Sequence, residues 1–365
     1  MEYQQLLQES YGFTLTHAAR KGPGIELMTD RGLFYLYEAP AVYKYKKKFV
    51  EQVRKELQER KELVPLSLMK TVNGQPHMLH EDQLLYLYRG VRETVPENPS
   101  FESGQVLARF HQGTGSLKGE KLFLPYSSLG SWPAMWRKKL RQYEGYRDEM
   151  DEWTEALSPL DVYLLTSYTY VHQLGETAVQ YLYHADYEKV VKETSACGKV
   201  AYQNFEPGYV LWDEERGPYL TGEWNWVLDM RTRDIGQWIK TVVRRHGWQE
   251  ESIVSFLDGY NSVTPLLESE YAVIYGLLLY PGRFLKLVEG YRELPLEEKQ
   301  KVDGDSWQQQ MDEELLRMEE ALIQYPLLVH RRYGVPIPQI DWLWRSDDDE
   351  AARVCDEEVS QGSNR

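Results

Sequence analysis

The chain has few cysteines, fewer basic than acidic residues, and no long uninterrupted apolar run. Its two cysteines, Cys197 and Cys355, exclude a disulfide framework and give no metal-ligand spacing. The net charge is −15, so nucleic acids and anionic membranes would be repelled at long range. The negative charge therefore argues against a nucleic acid or an anionic membrane as a partner.

Further absences concern membrane insertion and secretion. No apolar run approaches the about 20 residues that a helix needs to cross a bilayer. The first ten residues, MEYQQLLQES, contain neither the basic nor the apolar segment of a secretory signal. We therefore expect a soluble protein made inside the cell. A length of 365 residues predicts about two domains or lobes.

The first 40 residues are predicted to be rich in β structure. Two short apolar runs, Ile25–Met28 and Leu33–Tyr37, flank a polar segment that ends in Gly32, which is typical of a β-hairpin. Just before them, Gly22-Pro23-Gly24 is interpreted as a plain turn, because it lacks the further glycine of a phosphate-binding loop.

A helix is predicted after Pro40, because Phe49, Val53 and Leu57 recur at a spacing of four on one face. Its other face carries a run of lysines, which we interpret as a solvated surface. These lysines are Lys44, Lys46, Lys47 and Lys48.

Three further strands are predicted, at Leu66–Lys70, Met78–Leu79 and Leu84–Tyr88. They complete an N-terminal α+β lobe with its hinge over residues 1–92. The proline-containing segment ETVPENPS then connects to a second lobe, residues 93–345, which is predicted to be mostly helical. Residues 346–365 carry seven acids and few apolar residues, so we expect a disordered tail.

The helices predicted in the second lobe are Gly104–His111, Trp136–Trp153, Val162–Tyr183, Tyr187–Glu193, Ile235–Arg245, Glu251–Tyr260, Glu268–Tyr280, Gly282–Arg292 and Trp307–Tyr325. A β-rich stretch, Val200–Trp238, interrupts them. It contains an apolar strand, a Pro-Gly turn, strands at Tyr209–Trp212 and Tyr219–Thr221, and a loop before a helix. This order is typical of a phosphotransferase active site.

The residues of this stretch carry a family resemblance. YQNFEPGYVLWD resembles the catalytic loop H-G-D-x-x-P-x-N-V-L-x-D of aminoglycoside-phosphotransferase-like kinases, and LTGEWNWVLDMRTRDIGQW resembles the segment that follows it. LARFHQGTG, FLDGYNSVTPL and LLLYPGRFLKLVEGY resemble segments of the spore-coat kinase-like proteins, the CotS group and in particular its YutH subgroup. The resemblance covers roughly residues 10–345. It implies a bilobal α+β protein-kinase-like fold, with a small antiparallel sheet and one helix in the first lobe.

In such kinases a strand lysine neutralises the nucleotide phosphates, and a catalytic-loop aspartate accepts the proton of the attacking hydroxyl. The resemblance places the strand lysine at Tyr37, whose phenol is neutral near pH 7. It places the catalytic aspartate at Asn204, an amide that is not a useful base. The histidine and glycine before it fall on Tyr202 and Gln203.

The magnesium ligands are also replaced. The ligating asparagine falls on Tyr209, and a phenol is a poor ligand for a hard cation. The second aspartate falls on Gly222 or on Glu223, because the alignment is ambiguous by one residue. The family's structural aspartate is kept as Asp234, which also suits a helix N-cap.

The resemblance and these replacements together imply a catalytically inactive, kinase-like component of the endospore coat. It would be made in the mother-cell cytoplasm, have other coat proteins as partners, and use no cofactor, metal or catalytic residue. One alternative is an atypical small-molecule phosphotransferase with catalytic groups relocated to Glu206, Asp213 or Glu223. The other is a module that binds a nucleotide or small ligand in the inter-lobe cleft without turnover.

Overall fold

A computed structural model describes residues 2–40, 46–60, 63–81, 83–115, 117, 125–151, 157–197, 200–214, 217–299, 301–338, 340 and 342–343. An antiparallel sheet with flanking helices comes first and a mainly helical part follows, which confirms the predicted α+β class. The acidic segment 346–365 and the predicted helix end at Trp153 lie outside the described residues.

The elements in chain order are α1 (Glu2–Tyr11), β1 (Leu15–Lys21), β2 (Gly24–Thr29), β3 (Gly32–Pro40), α2 (Lys47–Arg60), β4 (Val64–Pro65), β5 (Met78–His80), β6 (Gln83–Arg89), α3 (Pro99–Gly113), α4 (Trp132–Asp151), α5 (Pro159–His184), α6 (Tyr187–Cys197), β7 (Val200–Tyr202), β8 (Val210–Asp213), β9 (Gly217–Leu220), β10 (Trp226–Leu228), α7 (Thr232–His246), α8 (Glu250–Val263), α9 (Glu268–Leu279), α10 (Gly282–Glu293), α11 (Leu296–Lys299) and α12 (Gly304–Tyr333). The N-terminal sheet has the order β1-β2-β3-β6-β5 and is antiparallel throughout.

Side chains alternate across the N-terminal sheet, so each face has its own core. On β3, Phe34 and Leu36 pack in one cluster with Leu7 and other residues of α1. Tyr37, on the opposite face, belongs to the main core together with Phe49 and other residues of α2. The sheet is therefore covered by a helix on each side, and its tyrosine-bearing face is turned toward the helical part.

Helix α1 was not predicted, because β structure was expected through the first 40 residues. Its buried residues Leu7 and Tyr11 lie four positions apart, and this spacing was the available signal. Strand β1 was also missed, since most of its residues are exposed and show no apolar alternation.

The prediction of a strand at Leu66–Lys70 was wrong. The strand in this region is β4, which pairs in parallel with β9 from the helical part. Leu68 makes only an isolated bridge to Tyr88. The apolar residues after α2 are explained by this pairing between the two parts, which no local pattern reveals.

The predicted solvated lysine face needs one correction. Lys47 and Lys48 are exposed, as expected, and Lys44 lies outside the described residues. Lys46 is only 2% exposed, and its Nζ donates to the backbone oxygen of Trp224 at 2.8 Å. Its ammonium also lies 5.8 Å from the centre of the Tyr126 ring. Burial lowers the pKa of Lys46 to about 7.

The predicted helices of the second part are all found, with shifted ends. Helix α12 is longer than predicted and continues through Pro326. Strand β10 and the short helix α11 were not predicted. Helices α3 and α8 pack most closely at Gly104 and Gly259, where a methyl group on either glycine would overlap the backbone of the other helix.

One apolar segment corrects the expectation that no run approaches membrane-spanning length. Glu268–Glu293 is long and apolar enough by composition to cross a membrane, but 72% of its most apolar window is buried inside the fold. It consists of two helices, α9 and α10, which meet at Pro281. Its apolar character is therefore accounted for by packing in the core.

We predict that Gly104→Ala lowers the free energy of unfolding by roughly 1–3 kcal/mol, because the added methyl group forces two helix backbones apart. Denaturant titration measures this. Gly145→Ala is the matched control, since a Cβ there meets nothing within 4 Å, and we expect it to stabilise α4 by about 0.5–1 kcal/mol. Equal effects at the two positions would contradict the close helix contact.

We predict a pH-dependent contribution from Lys46. Its pKa is lowered on folding from 10.5 to about 7, so the unfolded chain binds more protons between these values and stability rises with pH. The difference in unfolding free energy between the wild type and Lys46→Met should increase by about 2 kcal/mol from pH 7 to about pH 9. Lys48→Met, which removes an exposed lysine two residues further along the chain, should show no such change. Parallel profiles for all three proteins would refute the burial of Lys46.

Candidate active-site cleft

The segment from β7 to α7 lies between the N-terminal sheet and the helical part. After β7 the chain makes a short loop, a 3₁₀ turn at Pro207–Tyr209, and the antiparallel β8–β9 hairpin. Gly222, with φ +70°, then allows a second 3₁₀ turn at Glu223–Asn225 before β10 returns to pair with β7. Both turns therefore belong to the segment that lies between the two parts.

Asp234 holds the first loop in place. Its buried carboxylate accepts the backbone N–H of Tyr202 at 2.9 and 3.0 Å and lies 3.0 Å from Nε2 of His111. The other ring nitrogen of His111 lies 2.8 Å from the hydroxyl of Tyr260. Burial raises the pKa of Asp234 well above its usual value, and the Tyr202 N–H opposes that shift.

The alternative role of Asp234 as a helix N-cap is wrong. Helix α7 begins at Thr232, its N-cap residue is Arg231, and no side chain caps it. The carboxylate contacts the loop and α3 instead. His111 was not predicted as a site residue, and its signal in the sequence was the final histidine of LARFH.

Tyr202 and Asn204 differ in their surroundings. Tyr202 is fully buried and its hydroxyl donates to the backbone oxygen of Thr221 at 2.9 Å. Asn204 is exposed. Between them, the backbone N–H of Gln203 donates to the oxygen of Asn225. The loop shape is thus held by backbone contacts, while the residue at the expected catalytic position faces solvent.

The ring of Tyr209 fills the space beside Gly222. Tyr209 is 6% exposed, stacks on Tyr202 with ring centres 5.2 Å apart, and accepts a hydrogen bond from Nδ2 of Asn225 at 2.8 Å. A Cβ at Gly222 would overlap this ring. Gly222 is therefore required both by its positive φ and by the close approach of Tyr209.

Tyr37 lies close to these residues from the sheet side. Its side chain is buried and meets the ring of Tyr88 edge-on at 5.6 Å. A Cβ at Gly24 would lie 2.8 Å from Cε1 of Tyr37. Burial raises the pKa of Tyr37, and the nearby Tyr209 and Glu223 act in the same direction. Tyr37 therefore remains neutral at physiological pH.

The Gly22–Gly24 turn touches the loop of the helical part directly. A Cβ at Gly22 would lie 3.3 Å from Cα of Gly208, and one at Gly208 would lie 2.7 Å from Cδ of Pro23. The segment forms the turn between β1 and β2. The tip of this hairpin therefore packs on the loop of the helical part.

Glu223 is buried and forms an ion pair with Arg54 of α2. Burial raises the pKa of its carboxyl, and Arg54 and Tyr88 oppose this. The next residue, Trp224, stacks on Tyr86 with ring centres 4.1 Å apart. Arg54 was missed in the sequence, where it looks like any exposed helix arginine. The turn at Glu223 is therefore anchored to the N-terminal part.

The segment that joins the two parts, at Glu93 and Thr94, also makes hydrogen bonds and an ion pair. Tyr35 donates its hydroxyl hydrogen to Glu93, and Lys21 lies 2.8 Å from the same carboxylate. The backbone N–H of Thr94 donates to the oxygen of Trp212 at 3.0 Å. Backbone and side chains of the connection therefore bind protein groups on both sides.

The three residues considered as relocated catalytic groups each have a different partner. Glu206 pairs with Arg245 at 3.1 Å, and Asp213 lies at the end of β8, where it forms a β-bridge with Glu93. Glu223 is paired with Arg54 inside the core. Among the residues that the structure describes, no group of three or more His, Cys, Asp or Glu side chains could hold a metal ion.

Solved structures with this fold are phosphotransferases. An aminoglycoside phosphotransferase from Alicyclobacillus acidocaldarius aligns with a TM-score of 0.65 and 15% identity, covering 90% of this chain and 96% of that one. A microcompartment-associated aminopropanol kinase aligns with a TM-score of 0.58 and 13% identity, covering 89% and 98%. These likenesses establish the kinase-like fold that the motifs implied.

Sequence relatives are spore coat proteins of Bacillus subtilis (strain 168). Endospore coat-associated protein YutH is 25% identical over 242 residues, which is 64% of this chain and 67% of the relative. Spore coat protein S is 28% identical over 297 residues, or 77% and 82%. A family model described as spore coat putative kinase YutH matches residues 4–324. The chain therefore belongs to the spore coat putative kinase YutH family.

Proposed function

We propose that this protein is a catalytically inactive, kinase-like component of the endospore coat. The observation that carries the proposal is that buried rings stand at positions where the family resemblance places phosphate- and magnesium-binding residues. Tyr37 and Tyr209 are both buried, and the Gly22–Gly24 turn packs on Gly208. Phosphates bound at these positions would have to displace buried rings.

The chemistry of these side chains also argues against phosphoryl transfer. A neutral phenol at Tyr37 offers no counter-charge, whereas phosphoryl transfer depends on positioning and on electrostatic stabilisation of the phosphates. Asn204 cannot accept the proton of an attacking hydroxyl. In this proposal Tyr37, Tyr202, Asn204, Tyr209 and the Gly222–Glu223 pair are vestigial positions, and Asp234 keeps a structural role.

The Arg54–Glu223 ion pair supports the same proposal. Glu223 is the carboxylate that the resemblance could place at a magnesium-ligand position, and it is already bound by a guanidinium. Breaking a buried ion pair by removing one partner costs several kcal/mol, so a metal ion would have to offset that loss. In this proposal the guanidinium of Arg54 takes the place of a metal ion beside Glu223.

The coat assignment comes from the relatives. Both curated relatives carry spore coat names, and the family model does too. We infer that this chain is made in the mother-cell cytoplasm and assembles with other coat proteins on the spore. Its organisation would be an N-terminal lobe over residues 1–92, a helical lobe over 93–345 and an acidic tail over 346–365.

We predict that the purified protein neither binds nor hydrolyses ATP. Isothermal titration with ATP, with and without magnesium, should give no binding heat, and a phosphate-release assay should stay at the level of buffer. A phosphotransferase of the same fold serves as the positive control.

Magnesium-dependent binding with phosphate release would overturn the proposal in favour of an atypical phosphotransferase. Glu223→Ala would then show whether Glu223 holds the metal, with Glu193→Ala, an exposed change on α6, as its matched control. Nucleotide binding without turnover would instead favour a ligand-binding module.

We also predict where the protein accumulates. A fluorescent fusion expressed in a sporulating host should form a ring around the developing spore and be recovered in the coat extract. Fluorescence that stays diffuse in the mother cell throughout sporulation, with none in the coat extract, would reject the coat assignment whatever the ATP result.

A further inference from the structure

A cavity of about 150 Å³ opens between helices α4 and α10, outside the inter-lobe cleft. Helix α4 begins at Trp132, whose Nε1 donates to Asp229 at 3.0 Å. The cavity begins two helical turns further along, at Lys139. It shares no lining residue with the cleft, so what it binds is independent of the proposed function.

The floor of the cavity is apolar and aromatic. Tyr143 and Tyr146 line it from α4, and Leu285 and Val288 line it from α10. All four side chains are buried. A cavity of about this volume holds one benzene-sized molecule. The floor therefore fits a single aromatic ring or an aliphatic group of similar size.

Two ion pairs connect the helices beside the cavity. Nζ of Lys139 lies 2.6 Å from Glu289, and Arg292 pairs with Glu149. Each pair runs from one helix to the other, and the cavity lies between these two helices. The cavity is thus built into the packing of the two helices.

The charges on the rim leave one carboxylate without a cation. Lys139 and Glu289 neutralise each other, and Arg292 is matched by Glu149 from outside the cavity. Glu293 lines the cavity, and no cationic partner for it is found in the described part of the chain. The lining charges sum to zero, with Lys139 and Arg292 against Glu289 and Glu293, and Glu293 is the lining carboxylate left without an ion pair among the described residues.

The aromatic floor is compatible with a positive charge. The guanidinium of Arg292 already lies 5.4 Å from the centre of the Tyr146 ring, within the range of a cation–π interaction. An apolar pocket with a few converging polar groups is the usual form of a small-molecule site.

We propose that this cavity binds a small organic cation with one ring-sized apolar group. The ring would lie on Tyr143, Leu285 and Val288, and the ammonium would face Glu293 and the amide oxygen of Gln142.

Three probes that share one ring and differ in charge test this proposal: benzylammonium, benzyl alcohol and benzoate. Saturation-transfer NMR on the full chain should give affinities in that order. We expect benzylammonium to bind about threefold more tightly than the neutral alcohol, because one partly exposed charge pair is worth little more. Benzoate binding as tightly as benzylammonium would overturn the charge assignment, and no binding by any probe would overturn the site.

Two variants locate the binding. Glu293→Gln should reduce benzylammonium to the affinity of the alcohol, whereas Glu193→Gln, which removes an exposed charge from α6, should leave it unchanged. Gln142→Trp places a large side chain at the exposed edge of the cavity and should abolish binding of both probes. Unaltered binding to a folded Gln142→Trp variant would show that the probes bind elsewhere and refute the proposal.

Discussion

The buried carboxylate of Asp234 is the interaction on which the geometry of the cleft depends. It joins the backbone of Tyr202 to His111 of α3, and His111 in turn contacts Tyr260 of α8. A carboxylate away from water is unfavourable unless it is hydrogen-bonded, so these partners and the loop are fixed together. The loop consequently has a defined shape although Asn204, at its expected catalytic position, makes no contribution to holding it.

Once the loop is fixed, the side chains at the neighbouring positions must fill a space that is shielded from solvent. Rings do this at Tyr37, Tyr202 and Tyr209, since an aromatic side chain gains from burial what an unpaired lysine or aspartate would lose. Where a charge is kept, at Glu223, it needs Arg54 as a partner. The residues at these positions thus follow from dense packing.

Much of the fold could be predicted from local patterns. The apolar runs of β3 and β6, the four-residue spacing in α2, and the helical segments from α3 to α10 were all recognisable, because the burial of an element shows in the residue types along it. Contacts between elements carried no such signal. Lys46 looked like one of four surface lysines, Arg54 like a helix surface residue, and the residues after α2 like a strand of the wrong sheet.

The sequence by itself determined the family, most of the helices and the identity of the residues at the motif positions, because these depend on residue types and spacing along the chain. Only the tertiary structure decided that the ring of Tyr37 packs against that of Tyr88, that the Gly22–Gly24 turn lies against Gly208, and that Glu223 is paired with Arg54. Each of these contacts joins segments far apart in the chain. Their partners are selected by how the sheet and the helices pack, which no single segment specifies.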